Sequence, residues 1–498
     1  MAKVSIIGSG FSGLSAACFA AKAGHQVCVF EKNNTIGGRA RTYTEAGFTF
    51  DMGPSWYWMP DVFEDFFAEF GKKSSDYYQL IQLDPGFQMI FGPRNTVPIP
   101  ADAQELYAVF ESIEKGSSVA LRKFLQEAEV KYNVGMRKFV FKPSYSWLEY
   151  INLDVIKGAL SLEMFSSVSS SVRKYFKDER LIALMEFPVL FLGAMASKIP
   201  ALYTMMNYSA LVQGTWYPAG GMHQIILAME NLASSLGVQF HTGTSVEKIT
   251  IIDGKVTALQ TSKGEFKTDG LITSADYHHV EQNLLEEQYR NYNEDYWAKK
   301  TFAPSSLIYY LGVSKKLAGL LHHNLFFDAD LDVHAGEIYT DPKWPAHPLF
   351  YTCCPSKTDH TVAPEGMENI FILVPVAAGL IDTPEIREHY FDGIIKRMEA
   401  HCGESFAEQI IYKRTYCIND FVEDYHAYKG NAYGLANTLL QTAVFKPSLK
   451  NNKVNNLFYT GQLTVPGPGV PPALISGQVA AKELISQLIK NHPYETIV

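Results

Sequence analysis

The stretch from Lys3 to Arg41, KVSIIGSGFSGLSAACFAAKAGHQVCVFEKNNTIGGRAR, constrains this chain more than any other. Val4, Ile6 and Ile7 form a short apolar run of the kind a parallel strand covered on both faces requires. The chain then turns through Gly8-Ser9-Gly10-Phe11-Ser12-Gly13. In such a fingerprint the first glycine permits a tight turn, the second lets the backbone approach a pyrophosphate, and the third lets helix pack on strand. An alanine-rich helix is predicted from Phe11 to Ala23, closed by Gly24, with its N-terminal amides and dipole facing the phosphates. A second strand, Gln26 to Phe30, delivers Glu31, with Lys32 beside it, about 20 residues after the fingerprint, where a carboxylate accepts from ribose hydroxyls. As far as Lys32, this stretch specifies an adenine dinucleotide fold and leaves NAD and FAD both open.

The next residues separate the two. Ile36-Gly37-Gly38-Arg39 places two residues without side chains and a strong phosphate partner beside the body of the cofactor. A turn with a surface arginine is the alternative. The segment resembles the second signature of the flavoprotein amine oxidase and carotenoid desaturase superfamily, and that resemblance implies an FAD site containing Glu31, Lys32, Gly38 and Arg39. Further on, Asp51-Met52-Gly53-Pro54-Ser55-Trp56-Tyr57-Trp58-Met59-Pro60 packs aromatic residues around a Gly-Pro turn. It is similar to the stretch of bacterial carotenoid desaturases that borders the isoalloxazine, which implies that Gly53, Pro54 and Ser55 face the cofactor.

Along the chain, Phe63, Phe66, Phe67 and Phe70 stand at helical spacing within Asp61–Phe70. Short alternating runs broken by Pro85, Pro93 and Pro98 predict strands over 76–100, flanking a substrate cavity. One helix is predicted from Ala101 to about Lys138, with Asp102 as a cap. The remainder to about Gln213 is apolar and rich in methionine, including Met164, Phe165, Leu184, Met185, Phe187, Leu192, Met205 and Met206. Core, a greasy substrate tunnel and a membrane-docking face are three readings of it. Trp216-Tyr217-Pro218 with Gly220-Gly221-Met222 returns the chain to the nucleotide domain and is similar to a desaturase element. A helix over His223–Leu236 precedes strands Val238–Thr242, Ser245–Ile252 and Val256–Thr261, with Asp253-Gly254 as the hairpin turn. The resemblance implies adenine contact at Val246 and a cofactor contact at Asp276. From Tyr289 to Tyr425 the pattern is that of a sheet with one helix near Glu385–Cys402.

Near the C-terminus, strand Asn456–Thr460 ends in Gly461-Gln462, and Gly467-Pro468-Gly469-Val470-Pro471-Pro472 leads into a helix predicted over Ala473–Ile489. That helix N-terminus suits the flavin pyrimidine, where negative charge accumulates on reduction. The segment resembles the C-terminal FAD motif of carotenoid desaturases, implying contacts from Gly461, Gln462, Gly469, Val470 and Pro471. Gln462 stands where wider flavoproteins have an acid, which leaves the ribityl contact open.

Together the motifs at both ends and in the middle resemble the phytoene desaturase type of bacterial carotenoid desaturase. The implied fold is α/β: a Rossmann-like FAD-binding domain assembled from 1–75, 214–288 and 426–498, a mixed-sheet substrate domain from 76–100 and 289–425, and a helical apolar insert over 101–213. The implied reaction is dehydrogenation of a carotenoid, acyclic or monocyclic, with hydride passing to flavin and a proton lost from the adjacent carbon. No residue has a sequence-level claim to be a catalytic base. The electron acceptor, oxygen or a quinone, is left open. Carotenoid cis–trans isomerisation and non-enzymatic prenyl-lipid carriage on the same fold are the rival readings. Amine oxidation is disfavoured because no cage for an ammonium stands out.

The formal net charge of −9 disfavours nucleic acid as a partner. Six cysteines without a CxxC pair suggest a reduced compartment. With the first strand starting so near Met1, a signal peptide is not expected, and no run reaches the roughly 18 apolar residues of a membrane span. A cytoplasmic protein resting on a membrane surface is therefore expected. His278-His279 and His322-His323 lack spaced partners, so no metal site is expected.

Overall fold

The computed structural model of the chain describes residues 1–93, 95–150 and 166–491. Met164 and Phe165, read above as part of the apolar insert, lie outside the described residues.

Five parallel strands form the nucleotide layer, in the order Leu457–Tyr459, Gly270–Thr273, Lys3–Ile7, Gln26–Phe30 and Gln239–His241. Lys3–Ile7 is central, and its Ile6 lies in register between Ile272 and Val29. All three of these side chains are buried, as expected of a sheet covered on both faces. The helix Phe11–Lys22 packs against the C-terminal helix Val470–Asn491, joining the two ends of the chain. The backbones meet closely there. A Cβ at Gly477 would lie 2.1 Å from the Ser12 carbonyl oxygen.

The second layer is a seven-stranded mixed sheet, ordered Ile410–Tyr416, Ser305–Val313, Glu368–Val376, Phe350–Cys353, His323–Phe326, Phe87–Ile90 and Thr96–Ile99. Every pairing is antiparallel except His323–Phe326 with Phe87–Ile90. Ser305–Val313 is buried at every position, so its middle, Leu307–Leu311, reads as a continuous apolar run despite being antiparallel. Leu80–Gln82 stands outside this sheet and pairs with Trp216–Pro218 in a separate two-stranded ribbon.

Element boundaries differ from expectation in three informative places. The helix expected from Ala101 to Lys138 is two helices, Ala103–Ile113 and Ser117–Val134, continued by a π turn at Gly135–Phe139. Gly116, at φ +89°, breaks it. Asp102 caps the first, accepting from the Gln104 and Glu105 amides. The helix Pro60–Ala68 ends before Phe70, and its buried stripe is Val62, Phe63, Phe66 and Phe67. The C-terminal helix starts at Val470, earlier than expected, so Pro471 and Pro472 sit in its first turn, where no amide partner is lost.

Candidate active site

The glycine-rich turn opens onto a cavity of about 870 Å³. Gly8 adopts φ +94°, a conformation glycine tolerates and side chains resist. Gly13 serves the packing: a Cβ there would stand 2.1 Å from the Gly8 carbonyl oxygen. No side chain caps the helix that follows, whose N-cap is Gly10, and an added Cβ at Gly10 would meet nothing within 4 Å. The first-turn amides of Phe11–Lys22 therefore face open space beside the turn, an arrangement suited to an anion.

Glu31 is buried behind this turn. Its carboxylate accepts from the Ser9 amide at 3.1 Å and hydroxyl at 2.6 Å, and from the Asn33 amide at 2.9 Å. The acid expected to receive ribose hydroxyls thus also fastens the second strand to the turn. The Lys32 ammonium bonds the Glu423 carbonyl at 2.5 Å and lies near His426, and partial burial lowers its pKa.

Gly38–Ala40 forms a 3-10 turn at the cavity wall. The Arg39 guanidinium is held over the Tyr425 ring at 5.0 Å and donates to the Asn431 carbonyl at 3.3 Å. Its Nε is buried and has no hydrogen-bond partner among the described residues. Burial lowers the pKa of Arg39 and raises that of Asp276, while the charge of each opposes the other's shift. Asp276 also caps the turn after Thr273, accepting from the His279 amide at 3.2 Å. Gln462 completes this group. With its amide oriented to satisfy both ends, it donates to the Ala432 carbonyl at 3.2 Å and accepts from Arg39 Nη2 at 3.1 Å. The neutral amide thus takes an arginine contact that an acid would make as an ion pair.

Every residue expected from the sequence to contact the cofactor lines this one cavity except Gly13, which supports its wall. Ser12, Val246, Gly53, Pro54, Ser55, Gly461, Gly469, Val470 and Pro471 are among them. The uncapped helix amides, the side-chain-free turn and the unpartnered Arg39 Nε fit the phosphates and polar rings of FAD.

Beyond this polar end the wall becomes apolar. Met136, Phe139, Val140, Trp147, Leu192, Leu202, Met205, Met206, Leu440 and Phe445 continue the lining. Trp147, Leu440 and Phe445 also reach solvent, so the cavity opens between 139–150 and 440–445.

Sequence reasoning did not find the wall beside Ser55. The Ser55 hydroxyl is 2.9 Å from the Tyr351 hydroxyl, which is 2.6 Å from His323 Nδ1. The His323 ring stacks on Trp56, with centroids 4.1 Å apart. Burial holds His323 neutral, its pKa well below the ordinary value, and holds the Tyr351 phenol well above its own. Ring nitrogens of His322 and His323 and the Cys353 sulfur come within 4.8 Å of one another. Spacing along the chain gave no sign of that grouping, because the strands His323–Phe326 and Phe350–Cys353 bring it together by antiparallel pairing.

Residues 11–485 match the family described as flavin containing amine oxidoreductase. The chain is 39% identical over 486 residues to a carotenoid 3,4-desaturase of Haloarcula japonica, covering 97% of this chain and 98% of that one. The chain belongs to the flavin-containing amine oxidoreductase family, in its carotenoid desaturase branch. It is also 30% identical to a ζ-carotene-forming phytoene desaturase of Myxococcus xanthus, over 97% of this chain and 94% of that one. Among solved structures, an oxidoreductase of Methanosarcina mazei shares the fold with a TM-score of 0.59 at 18% identity, covering 96% of this chain and 100% of that one. Cyclohexylamine oxidase of Brevibacterium oxydans shares it with a TM-score of 0.59 at 16% identity, covering 98% and 99%. The cofactor of this family member is FAD.

Proposed function

We propose that the protein is an FAD-dependent desaturase that introduces carbon–carbon double bonds into an acyclic or monocyclic carotenoid. The observation that carries this reading is the change of character along one cavity, from a phosphate-binding turn to a long wall of methionine, phenylalanine and leucine. Gly8–Ser12, Glu31, Lys32, Gly38, Arg39, Val246, Asp276, Gly461 and Gln462 hold the nucleotide half of FAD. Gly53–Ser55 and Gly469–Pro471 border its ring system. Bound there, FAD supplies the hydride acceptor.

The chain's own residues position and shield. A hydrocarbon offers the site almost no hydrogen-bonding handle, so orientation comes from the shape of the apolar wall. Methionine and phenylalanine suit a flexible or conjugated chain because neither demands a hydrogen bond. Trp56, stacked on neutral His323, keeps the wall dry beside Ser55. The exposed rim of the opening, Trp147, Leu148, Leu440 and Phe445, rests on a membrane from which the substrate enters.

In liposomes carrying phytoene, lycopene, γ-carotene or a 1-hydroxylated acyclic carotenoid, the purified yellow protein is expected to yield a product lighter by one hydrogen pair per step. A holoenzyme that leaves all four unchanged, with oxygen or a quinone supplied, overturns the proposal. A product of unchanged mass and altered geometry assigns isomerisation instead.

A further inference from the structure

Beside the Ser55 wall stand three side chains that the proposed reaction leaves unused: His322, His323 and Cys353. The pairing of His323–Phe326 with Phe350–Cys353 sets His323 directly opposite Cys353. Opposed residues of an antiparallel pair share one face of the sheet, with Cβ atoms about 4.5–5.5 Å apart. His322 lies just before the strand, and its ring centroid is 4.5 Å from that of His323. A ring nitrogen of each histidine and the Cys353 sulfur all lie within 4.8 Å of one another, and all three side chains are buried.

The hydrogen bonding of this group does not close. His322 Nδ1 is 2.8 Å from the Thr358 hydroxyl, and His323 Nδ1 is 2.6 Å from the Tyr351 hydroxyl. Nε2 of both rings is buried and has no hydrogen-bond partner among the described residues. Polar atoms left so in an interior are destabilising, and native proteins rarely keep two together. The pattern is that of metal-ligating histidine, in which Nδ1–H is spent on an oxygen partner and the Nε2 lone pair is left for an ion. Burial keeps both rings neutral, the form that ligates. A single ion satisfies both rings and the sulfur at once.

We propose that His322, His323 and Cys353 bind one zinc ion. The donor set selects the class of ion. Two imidazoles and a thiolate suit zinc, whereas calcium, magnesium and manganese take oxygen donors and iron–sulfur clusters need more thiolates. Around a tetrahedral zinc with bonds of about 2.0–2.3 Å, such donors stand about 3.3–3.7 Å apart, so side-chain shifts of about 1 Å or less complete the set. Water takes the fourth position. Zinc with one thiolate keeps a positive charge, and two carboxylates answer it: Asp51 acts electrostatically on Cys353, and Asp359 on His322. Both are engaged by backbone amides, Asp51 by Met222 and His223 and Asp359 by Gly220 and Thr361, so they surround the donor set without joining it. The ion cross-links the strands His323–Phe326 and Phe350–Cys353 two residues from Tyr351, and so fixes the wall at Ser55.

The test uses the FAD-loaded full chain, produced without a metal-binding tag in zinc-supplemented medium and passed over a weak chelator. Elemental mass spectrometry is expected to find about one zinc per chain. Protein produced with cobalt instead is expected to show tetrahedral d–d bands to the red of the flavin spectrum. His322→Gln and Cys353→Ala are each expected to carry at least about tenfold less metal and to lose those bands, while holding FAD at the wild-type level. His322 is the histidine to replace because it does not line the cavity, whereas the His323 ring packs on Trp56. These readouts are metal content and spectrum, not turnover, so they stand apart from the identity of the substrate.

Wild type with less than about a tenth of an equivalent of zinc and no cobalt bands overturns the proposal and assigns the two Nε2 atoms to a buried water. One equivalent that survives in both variants places the ion elsewhere and overturns it as well. Copper in place of zinc, lost in both variants, keeps the site and overturns the choice of ion. Where a variant loses FAD along with metal, its fold has failed and the wild-type cobalt spectrum decides. Thiolate-to-cobalt charge transfer, read as the difference between cobalt-loaded and zinc-loaded protein, supports the Cys353 ligand, and its absence overturns it.

Discussion

At the scale of single residues, the wall beside Ser55 shows how a site for an apolar substrate spends its few polar groups. Tyr351 is fully buried, yet its hydroxyl is satisfied on two sides, by Ser55 and by His323 Nδ1. Removing its hydroxyl leaves buried His323 Nδ1 without that partner, and such a group costs about 1–3 kcal/mol. Tyr351→Phe is therefore expected to destabilise the fold by roughly that amount in denaturant unfolding. It also frees Ser55, next to Pro54, to change rotamer in the cavity wall. The fingerprint end is untouched, so bound flavin, read by absorbance, is expected to stay at wild-type level while turnover falls about tenfold, the size of one lost positioning contact of about 1.4 kcal/mol. Equal loss of flavin and turnover would show that Tyr351 supports the fold and does not position the wall.

At the scale of elements, the helix Phe11–Lys22 is the joint of the nucleotide layer. Gly13 lets it lie against the turn at Gly8, and Ser15 donates to the Leu474 carbonyl at 2.7 Å on the C-terminal helix. Gly13→Ala forces the helix outward from contact with the Gly8 carbonyl and moves the amides that face the cavity. Overpacking of this kind costs typically about 1–3 kcal/mol. The variant is expected to purify with little FAD and to bind added FAD at least tenfold more weakly, measured by flavin fluorescence quenching. This joint was legible in the sequence because its signals are local: glycine spacing, an alanine-rich helix, and an acid at the end of the next strand. The same holds for the hairpin at Asp253-Gly254 and the cap at Asp102. The break at Gly116 was not legible, because the apolar periodicity continues on both sides and one glycine inside a helical pattern is often tolerated. Tyr351 and His323 were illegible for a different reason. Their contact spans two strands of the mixed sheet, whose pairing follows from packing over the whole domain and leaves no mark in either segment alone.

At the scale of the whole molecule, the cavity links two chemistries that chain order keeps apart. Its polar end draws on 8–55, 244–277 and 461–471, from all three thirds of the chain, and its apolar end on 135–150, 192–206 and 440–445. None of the described helices is long and apolar enough to cross a membrane. On the proposal that the substrate enters from a membrane, the exposed apolar side chains at the mouth are the part that meets its surface. An insoluble substrate makes docking a step in its capture, so damage to the rim should appear in capture and not in chemistry. Replacing Trp147 and Leu148 by serine removes apolar area at the mouth without reaching the wall at Ser55 or the fingerprint. The double variant is expected to keep its flavin and its kcat, and to show a KM for liposome-borne carotenoid raised about tenfold. That corresponds to roughly 1.4 kcal/mol of lost contact, within the range for partial burial of two large apolar side chains. Substrate delivered in detergent micelles restores near wild-type kinetics on this view, since the interfacial step is bypassed. A matching drop in kcat with micellar substrate would place Trp147 and Leu148 in the substrate channel itself and move the membrane contact to another face.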